Sequence, residues 1–188
     1  PYPDNCPRFL CFAKATALYL AATDWKVDIV HCHDWTTGLI PYYLNYFKVE
    51  AKTVFTIHNL AYQGVFPPFD AIISSSRIPK SALRGPKAHE NINMMAAGLL
   101  DCDFITTVSP TYMEEIRESG MGCGLDDILK DRKDDSKGII NGIDYNEWNP
   151  ETDKDLISNY SVSDLGGKEE CKKELLEEFK IKGYDDKP

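Results

Sequence analysis

Four short segments of the chain combine residue types that can do chemistry, and each follows a run of apolar or β-branched residues. They are His31-Cys32-His33-Asp34-Trp35, His58-Asn59, Ser109-Pro110 and Asn141-Gly142. If the preceding runs are parallel strands, their carboxyl ends meet along one edge of a sheet. Ligands of open α/β sheets bind outside that edge, so the pattern predicts one composite site built from all four segments.

Each segment also has a purely structural explanation. Asp34 could cap a following helix, because a carboxylate accepts hydrogen bonds from the unpaired N–H groups of a helix N-terminus. His58 could be a buried histidine that packs at a strand end. Asn141-Gly142 is typical of a turn, and Ser109 is typical of a helix start and lacks the surroundings of a nucleophilic serine. The residues alone leave these alternatives open.

A metal site is a second functional hypothesis. His31 and His33 are two residues apart in a predicted strand, so their side chains face the same side. With Asp34 and His58 they could hold a divalent metal in a hydrolase. Against this hypothesis, the chain contains only four histidines.

Alternating strands and helices are predicted to position these segments. The apolar patterns predict strands over 27–32, 52–57, 104–108 and 137–140, the first of them buried. They predict helices over 7–22, 35–47 (bent at Pro41), 88–101, 110–118, 125–129 and 168–181, the last closed by Gly183 with Cys171, Leu175 and Phe179 on one face. Residues 69–84 show no clear pattern. The predicted fold class is therefore α/β, a parallel sheet with helices on both faces.

Composition excludes several classes of protein. The 188 residues include 30 acidic and 21 basic side chains, and the net charge of −9 disfavours nucleic acid as a partner. No apolar run approaches the roughly 18 residues of a membrane span. The six cysteines show no C-x-x-C spacing, so we expect reduced thiols in a cytosol-like compartment.

Several motifs in a fixed order resemble the bacterial glycogen synthases and the plant starch synthases. The densest are His33-Asp34-Trp35 with Gly38-Leu39, and His58-Asn59-Leu60-Ala61-Tyr62-Gln63-Gly64. Others follow in the same order as in that family: Ala97-Gly98-Leu99, Thr107-Val108-Ser109-Pro110-Thr111-Tyr112, Gly124-Leu125-Asp126, Asn141-Gly142-Ile143-Asp144 and Trp148-Asn149-Pro150-Glu151-Thr152-Asp153. Each motif is weak alone, and the ordered set is specific.

The resemblance implies a GT-B glycosyltransferase, which has two Rossmann-like domains that face each other across a cleft. Such enzymes transfer glucose from ADP-glucose, or UDP-glucose, to the non-reducing end of an α-1,4-glucan with retention and without metal or cofactor. Residues 1–188 are similar to part of the N-terminal, acceptor-side domain, with 168–188 leading toward a C-terminal domain.

Further expectations follow from the same resemblance. The expected partners are the glucan acceptor, the nucleotide-sugar donor and the remainder of the protein's own chain. The family's donor loop and its C-terminal domain are not in this sequence, so this part alone is expected to be inactive. The expected location is the cytoplasm, or a plastid in a plant or alga. A glucan-binding module without catalysis is the remaining alternative.

The resemblance also assigns roles to individual residues. His58 corresponds to a histidine that reaches the donor glucose, and Asp34 to a carboxylate beside the reacting centre. The implied substrate-binding residues are Asn59 and Trp35 on the acceptor side, Tyr62 as a stacking surface, Gln63, and Asn141 near the donor. Two positions depart from the family pattern: Thr36 stands where many relatives have histidine, and Ala96 where they usually have lysine.

Overall fold

A computed structural model describes residues 2–67, 78–85 and 91–183. The chain forms two compact units, Pro1–Asn141 and Gly142–Pro188. The assignment of 1–188 to one partial N-terminal domain, which the family resemblance implies, stays a prediction. All candidate site residues belong to the first unit.

The first unit contains a parallel sheet of four strands. Its strands are Ile29–His33 (β1), Lys52–Ile57 (β2), Phe104–Thr107 (β5) and Ser136–Gly138 (β6), in the order β1-β2-β5-β6. Two short strands, Val65–Phe66 (β3) and Ile92–Asn93 (β4), form a separate antiparallel pair. The predicted α/β class with a parallel sheet is confirmed, and each of its four strands overlaps the predicted range.

Helices connect these strands and supply most of the core. In the first unit they are Asn5–Ala22 (α1), Ile40–Tyr46 (α2), Met94–Asp101 (α3), Pro110–Glu115 (α4) and Asp126–Asp131 (α5); the second unit contains Gly166–Glu178 (α6). Short 3-10 helices cover Trp35–Thr37, Lys80–Leu83 and Lys133–Asp135. Among the described residues, every helix is too short or too polar to cross a bilayer.

The two faces of the sheet have different environments. Cys32, Phe55 and Ile105 project from one face into a single buried cluster with residues of α1, α2 and α3. Side chains alternate along a strand, so His31 and His33 leave β1 on the opposite face, where both are exposed. Helix cover on this second face stays a prediction.

The prediction that the first strand is buried is wrong. Among the described residues β1 is an edge strand, because it pairs only with β2. Cys32 is its one buried residue, and Ile29 is 59% exposed. A run of β-branched residues indicates a strand but does not reveal whether neighbours cover it on both sides.

Two predicted helices are shorter than their apolar patterns suggest. Residues 35–47 divide into a 3-10 helix and α2, and Pro41 lies in the first turn of α2, where its missing N–H group costs no hydrogen bond. Pro41 therefore begins a helix instead of bending one. In the range 88–101, Ile92 belongs to β4, and the Asn93 side chain caps α3 by accepting a hydrogen bond from the Ala96 N–H at 3.0 Å. Residues 88–90, like 69–77, lie outside the described part of the chain.

Helix α6 ends earlier than predicted. Its last residue is Glu178, and Lys180 takes a left-handed conformation with φ of 53°. The N–H of Ile181 then donates to the carbonyl of Leu176 at 2.9 Å, a Schellman closure. Lys180 therefore closes the helix, although the sequence pattern assigned that role to Gly183.

Candidate active site

The carboxyl ends of the parallel strands meet at one edge of the sheet, as predicted. In the parallel register His33 pairs with Thr56, and Thr107 pairs with both Ile57 and Gly138. The residues that follow these strands, Asp34, His58 and Ser109, therefore emerge at the same edge. Asn141 is exposed and lies three residues beyond the end of β6.

Asp34 joins the ends of β1 and β2. Its Oδ1 accepts a hydrogen bond from the backbone N–H of His58 at 2.8 Å. Asp34 precedes the 3-10 helix at Trp35–Thr37 but makes no side-chain capping bond to it. The helix-cap alternative is therefore wrong, and the carboxylate instead fixes the backbone of the second candidate catalytic residue.

The backbone of Asp34 is strained. Its φ of 54° and ψ of −177° lie in a region that is essentially reserved for glycine. Three hydrogen bonds hold this conformation. The Asp34 N–H donates to the Thr56 carbonyl, and the Asp34 carbonyl accepts from the Thr37 N–H. The Asp34 carboxylate accepts from the His58 N–H. Such strain, of order 1–3 kcal/mol, is concentrated at functional sites, which supports a functional role for Asp34.

His58 is exposed at this edge and bonded to a second histidine. Its Nε2 lies 3.0 Å from Nδ1 of His33, and the ring centroids are 5.3 Å apart. The alternative that His58 is a buried, space-filling histidine is therefore wrong. Burial lowers the pKa of His33, the nearby His31 and His58 lower it further, and Asp34 partly opposes them.

The contacts of the histidines do not support a metal centre. His31 and His33 face the same side, as predicted, with ring centroids 4.2 Å apart. Nε2 of His31 lies 2.6 Å from the Thr56 hydroxyl, however, and His33 is bonded to His58. Within residues 2–67, 78–85 and 91–183, no group of three or more His, Cys, Asp or Glu side chains is arranged to hold a metal ion.

An aromatic groove of about 550 Å³ opens beside this edge. Trp35 forms part of its wall and is held by an edge-on contact with Phe9 at 4.9 Å and a tilted contact with Phe66 at 5.6 Å. Tyr62 also lines the groove and is 67% exposed. Trp35 and Tyr62 therefore make part of the groove wall aromatic.

Side-chain hydrogen bonds hold the loop after β2 in its conformation. The Asn59 Oδ1 accepts a bond from the Ala61 N–H at 3.0 Å, which forms a turn, and the Tyr112 hydroxyl accepts one from the Leu60 N–H at 3.1 Å. Asn59 is exposed. Its role as a substrate contact stays a prediction.

Gln63 is buried and links this loop to two other segments. Its Nε2 donates to the carbonyl of Cys123 at 3.0 Å, and its Oε1 accepts from Asn93 at 2.7 Å. The predicted substrate contact of Gln63 stays a prediction, and the structure shows that this side chain also holds the loop in place.

Three residues that shape the site were not identified from the sequence. They are Thr56, Thr106 and Tyr112. The hydroxyls of Thr56 and Thr106 lie 2.5 Å apart. Together with the contact between His31 and the Thr56 hydroxyl, they form a row of polar contacts from β1 across β2 to β5. The alternation of residues along β2 places Thr56 on the histidine face, but its partners depend on the order of the strands.

Comparison with known proteins identifies the family. The model of the starch synthase catalytic domain matches residues 1–131, which include Asp34, His58 and the whole groove. The chain belongs to this family. Its sequence is 42% identical to a glycogen synthase of Opitutus terrae and 43% identical to glycogen synthase 2 of Geobacter sulfurreducens, in both cases over 95% of this chain and 38% of the relative.

A solved structure agrees with the sequence comparison. The catalytic domain of starch synthase IV from Arabidopsis thaliana, bound to ADP and acarbose, has a TM-score of 0.73 and 32% identity. The similarity covers 95% of this chain and 38% of that structure. The chain thus spans roughly two fifths of the length of the proteins that it matches.

Proposed function

We propose that the protein is an α-1,4-glucan synthase, which transfers glucose from ADP-glucose, or UDP-glucose, to the non-reducing end of glycogen or starch with retention of configuration. The observation that carries the proposal is the bond between the Asp34 carboxylate and the His58 backbone in a chain of the starch synthase family. It unites the two candidate catalytic residues at the ligand-binding edge of the sheet.

The chemistry of glucosyl transfer matches these groups. Positive charge develops at the anomeric carbon as the bond to the nucleotide breaks, in an oxocarbenium-like transition state. A carboxylate and an imidazole that are already fixed in place stabilise such charge without reorganising. The bond to Asp34 fixes the His58 backbone, and the contact with His33 restrains its ring.

The proposed substrate contacts divide between acceptor and donor. Trp35, Tyr62 and Gln63 are assigned to the glucan because they line the open groove. Asn59 is assigned to the glucan on the family resemblance, as an exposed residue next to His58. Asn141 is assigned to the donor side. The remainder of the protein's own chain supplies the nucleotide site, and neither a metal nor a cofactor takes part.

The proposed location is the cytoplasm, or a plastid in a plant or alga. It is supported by the six cysteines, all of which are free thiols in the structure. A reducing compartment keeps such thiols unpaired.

The test uses the full-length protein with a glycogen primer and either ADP-glucose or UDP-glucose, with and without EDTA. We expect release of nucleoside diphosphate and an equal amount of glucose in polymer that β-amylase digests, unaffected by EDTA. Glucan binding without release of nucleoside diphosphate would support the binding-module alternative. Stoichiometric bound zinc or manganese with EDTA-sensitive hydrolysis would support the hydrolase.

A further inference from the structure

The contact between His33 and His58 can form in two ways when both rings are neutral, with either ring as the donor. A neutral imidazole has one N–H donor and one acceptor nitrogen, so one of the two facing nitrogens, Nδ1 of His33 or Nε2 of His58, must bear the proton. Neutral histidine in water prefers the proton on Nε2. If both rings keep that form, His58 donates from Nε2 and His33 accepts at Nδ1.

The surroundings favour a neutral His33. The groups that face its ring are His31 from β1, Asp34 directly after β1, and His58 directly after β2. Burial and the two histidines lower the pKa of His33, and these effects outweigh the opposing one of Asp34. A neutral His33 in the Nε2–H form retains a lone pair at Nδ1, so it can accept a hydrogen bond from a protonated His58 or from a neutral His58 that bears its proton on Nε2.

We propose that His33 is a positioning residue that accepts a hydrogen bond from Nε2 of His58 and thereby holds the proton of His58 on Nε2. The Nδ1 atom of His58 then keeps a lone pair that can accept a hydrogen bond from a hydroxyl of the substrate. The first statement concerns the two rings alone; the second rests on the proposed function. His33 belongs to a motif shared with the family, but the resemblance assigns no role in glucosyl transfer to its side chain.

Two substitutions separate this role from simple packing. His33→Asn places an amide oxygen near the position of Nδ1 and keeps an acceptor for His58. His33→Leu keeps apolar bulk but removes the acceptor. The two variants form a matched pair, because both remove the imidazole and only one removes the hydrogen bond.

The first measurement does not depend on activity. Ring ¹⁵N shifts of the full-length protein, labelled in histidine, report which nitrogen of His58 bears the proton, with the signal assigned by its loss in His58→Ala. We expect the Nε2–H form in the parent and in His33→Asn, and a mixture of both forms in His33→Leu. A His58 ring in the Nδ1–H form in the parent overturns the inference, even if His33→Leu does not fold.

The second measurement is steady-state kinetics of the same full-length variants. His33→Leu should lower kcat by between about tenfold and a hundredfold, the range found when a group that orients a functional histidine is removed from metal sites, with KM nearly unchanged. His33→Asn should recover most of that loss. Equal kcat values for the parent and folded His33→Leu would overturn the positioning role. Absence of glucosyl transfer in the parent would instead contradict the proposed function and leave the ring measurement intact.

Discussion

At the scale of single residues, the site depends on Asp34 performing two tasks. Its carboxylate accepts the backbone N–H of His58 while its own backbone occupies a region that favours glycine. A glycine would relieve the strain, but it would remove the carboxylate. An aspartate at a position that favours glycine therefore indicates that its side chain is needed at this point.

We expect His58→Ala in the full-length protein to remain folded and lose most of its turnover. The side chain is exposed, so its removal should change the melting temperature little. Loss of one preorganised transition-state contact lowers kcat by on the order of 100-fold, with donor binding largely retained. Steady-state kinetics and a thermal melt test this together. Activity within a few-fold of the parent would contradict the role of His58.

Asp34→Gly and Asp34→Ala should separate strain from charge. Both substitutions delete the bond to His58, but only glycine relieves the backbone strain of about 1–3 kcal/mol. We therefore expect the glycine variant to unfold at higher urea than the alanine variant, while both lose transfer activity. If the alanine variant is the more stable of the two, the backbone at Asp34 is not strained.

At the scale of elements, close backbone contacts at the ends of helices determine where the site residues lie. Gly38 follows the 3-10 helix that begins at Trp35, and a Cβ placed on it would approach the Met94 carbonyl oxygen at the start of α3. Helix α2 ends in a Schellman closure in which Lys48 has a φ of 58° and the N–H of Val49 donates to Leu44 at 2.9 Å.

Gly38→Ala should be strongly destabilising. The added Cβ would lie 2.0 Å from a backbone oxygen, which cannot move as a flexible side chain can. We expect a loss of unfolding free energy of about 3 kcal/mol or more, at the upper end for substitutions that overpack a core. Gly142→Ala is a control, because among the described residues no atom outside the two chain neighbours lies within 4 Å of the added Cβ there. Equal urea midpoints for the two variants would show that the segment at Gly38 can shift.

Lys48→Gly should stabilise the protein. A residue with a Cβ in the left-handed conformation destabilises the folded protein by about 1–2 kcal/mol. Glycine removes this strain, but its greater conformational entropy in the unfolded chain offsets roughly half of the gain in stability. We expect a net increase of about 0.5–1 kcal/mol in unfolding free energy, measured by urea titration. Lys48→Ala removes the same exposed charge but keeps the Cβ, so it should show no such gain.

At the scale of the whole molecule, lowering the pH protonates groups at both ends of the sheet and reduces the stability of the fold. At the edge with the site, His33 has a lowered pKa, so its contribution to stability is lost as pH falls below 6.5, its ordinary value. At the opposite edge, Asp103 bonds to Lys52 at 2.8 Å and to the N–H and hydroxyl of Thr53, contacts that join the starts of β2 and β5.

Asp103→Asn should reduce the loss of stability in acid. The bond from Lys52 is the main cause that lowers the pKa of Asp103, with bonds from Thr53 adding to it. A carboxyl whose folded pKa is lowered stabilises the fold above its unfolded value of 3.8, and this contribution disappears as pH falls through the folded value. Urea unfolding of parent and variant at pH 7 and pH 3 measures the difference. An unchanged difference between the two pH values would contradict a stabilising role for the Asp103 carboxylate.

The sequence by itself determined the strands of the parallel sheet, the approximate positions of the helices, and the family. The strand at 52–57 matches β2 residue for residue, and Ser109 caps α4 as a helix start should. The motifs around Asp34 and His58 indicated the family that the comparison then identified. Local patterns suffice for this because strand and helix periods and capping preferences act between residues a few positions apart.

Only the tertiary structure decided how the site residues are connected. Asp34 and the N–H of His58 are 24 residues apart, His33 and His58 are 25 apart, and Gln63 reaches Asn93 across 30. The first two contacts exist because β1 and β2 are neighbours in one particular register, and the third joins the loop after β2 to β4. Strand order and register result from the packing of the whole core, and a one-residue shift would turn each side chain to the other face. No local pattern contains that information.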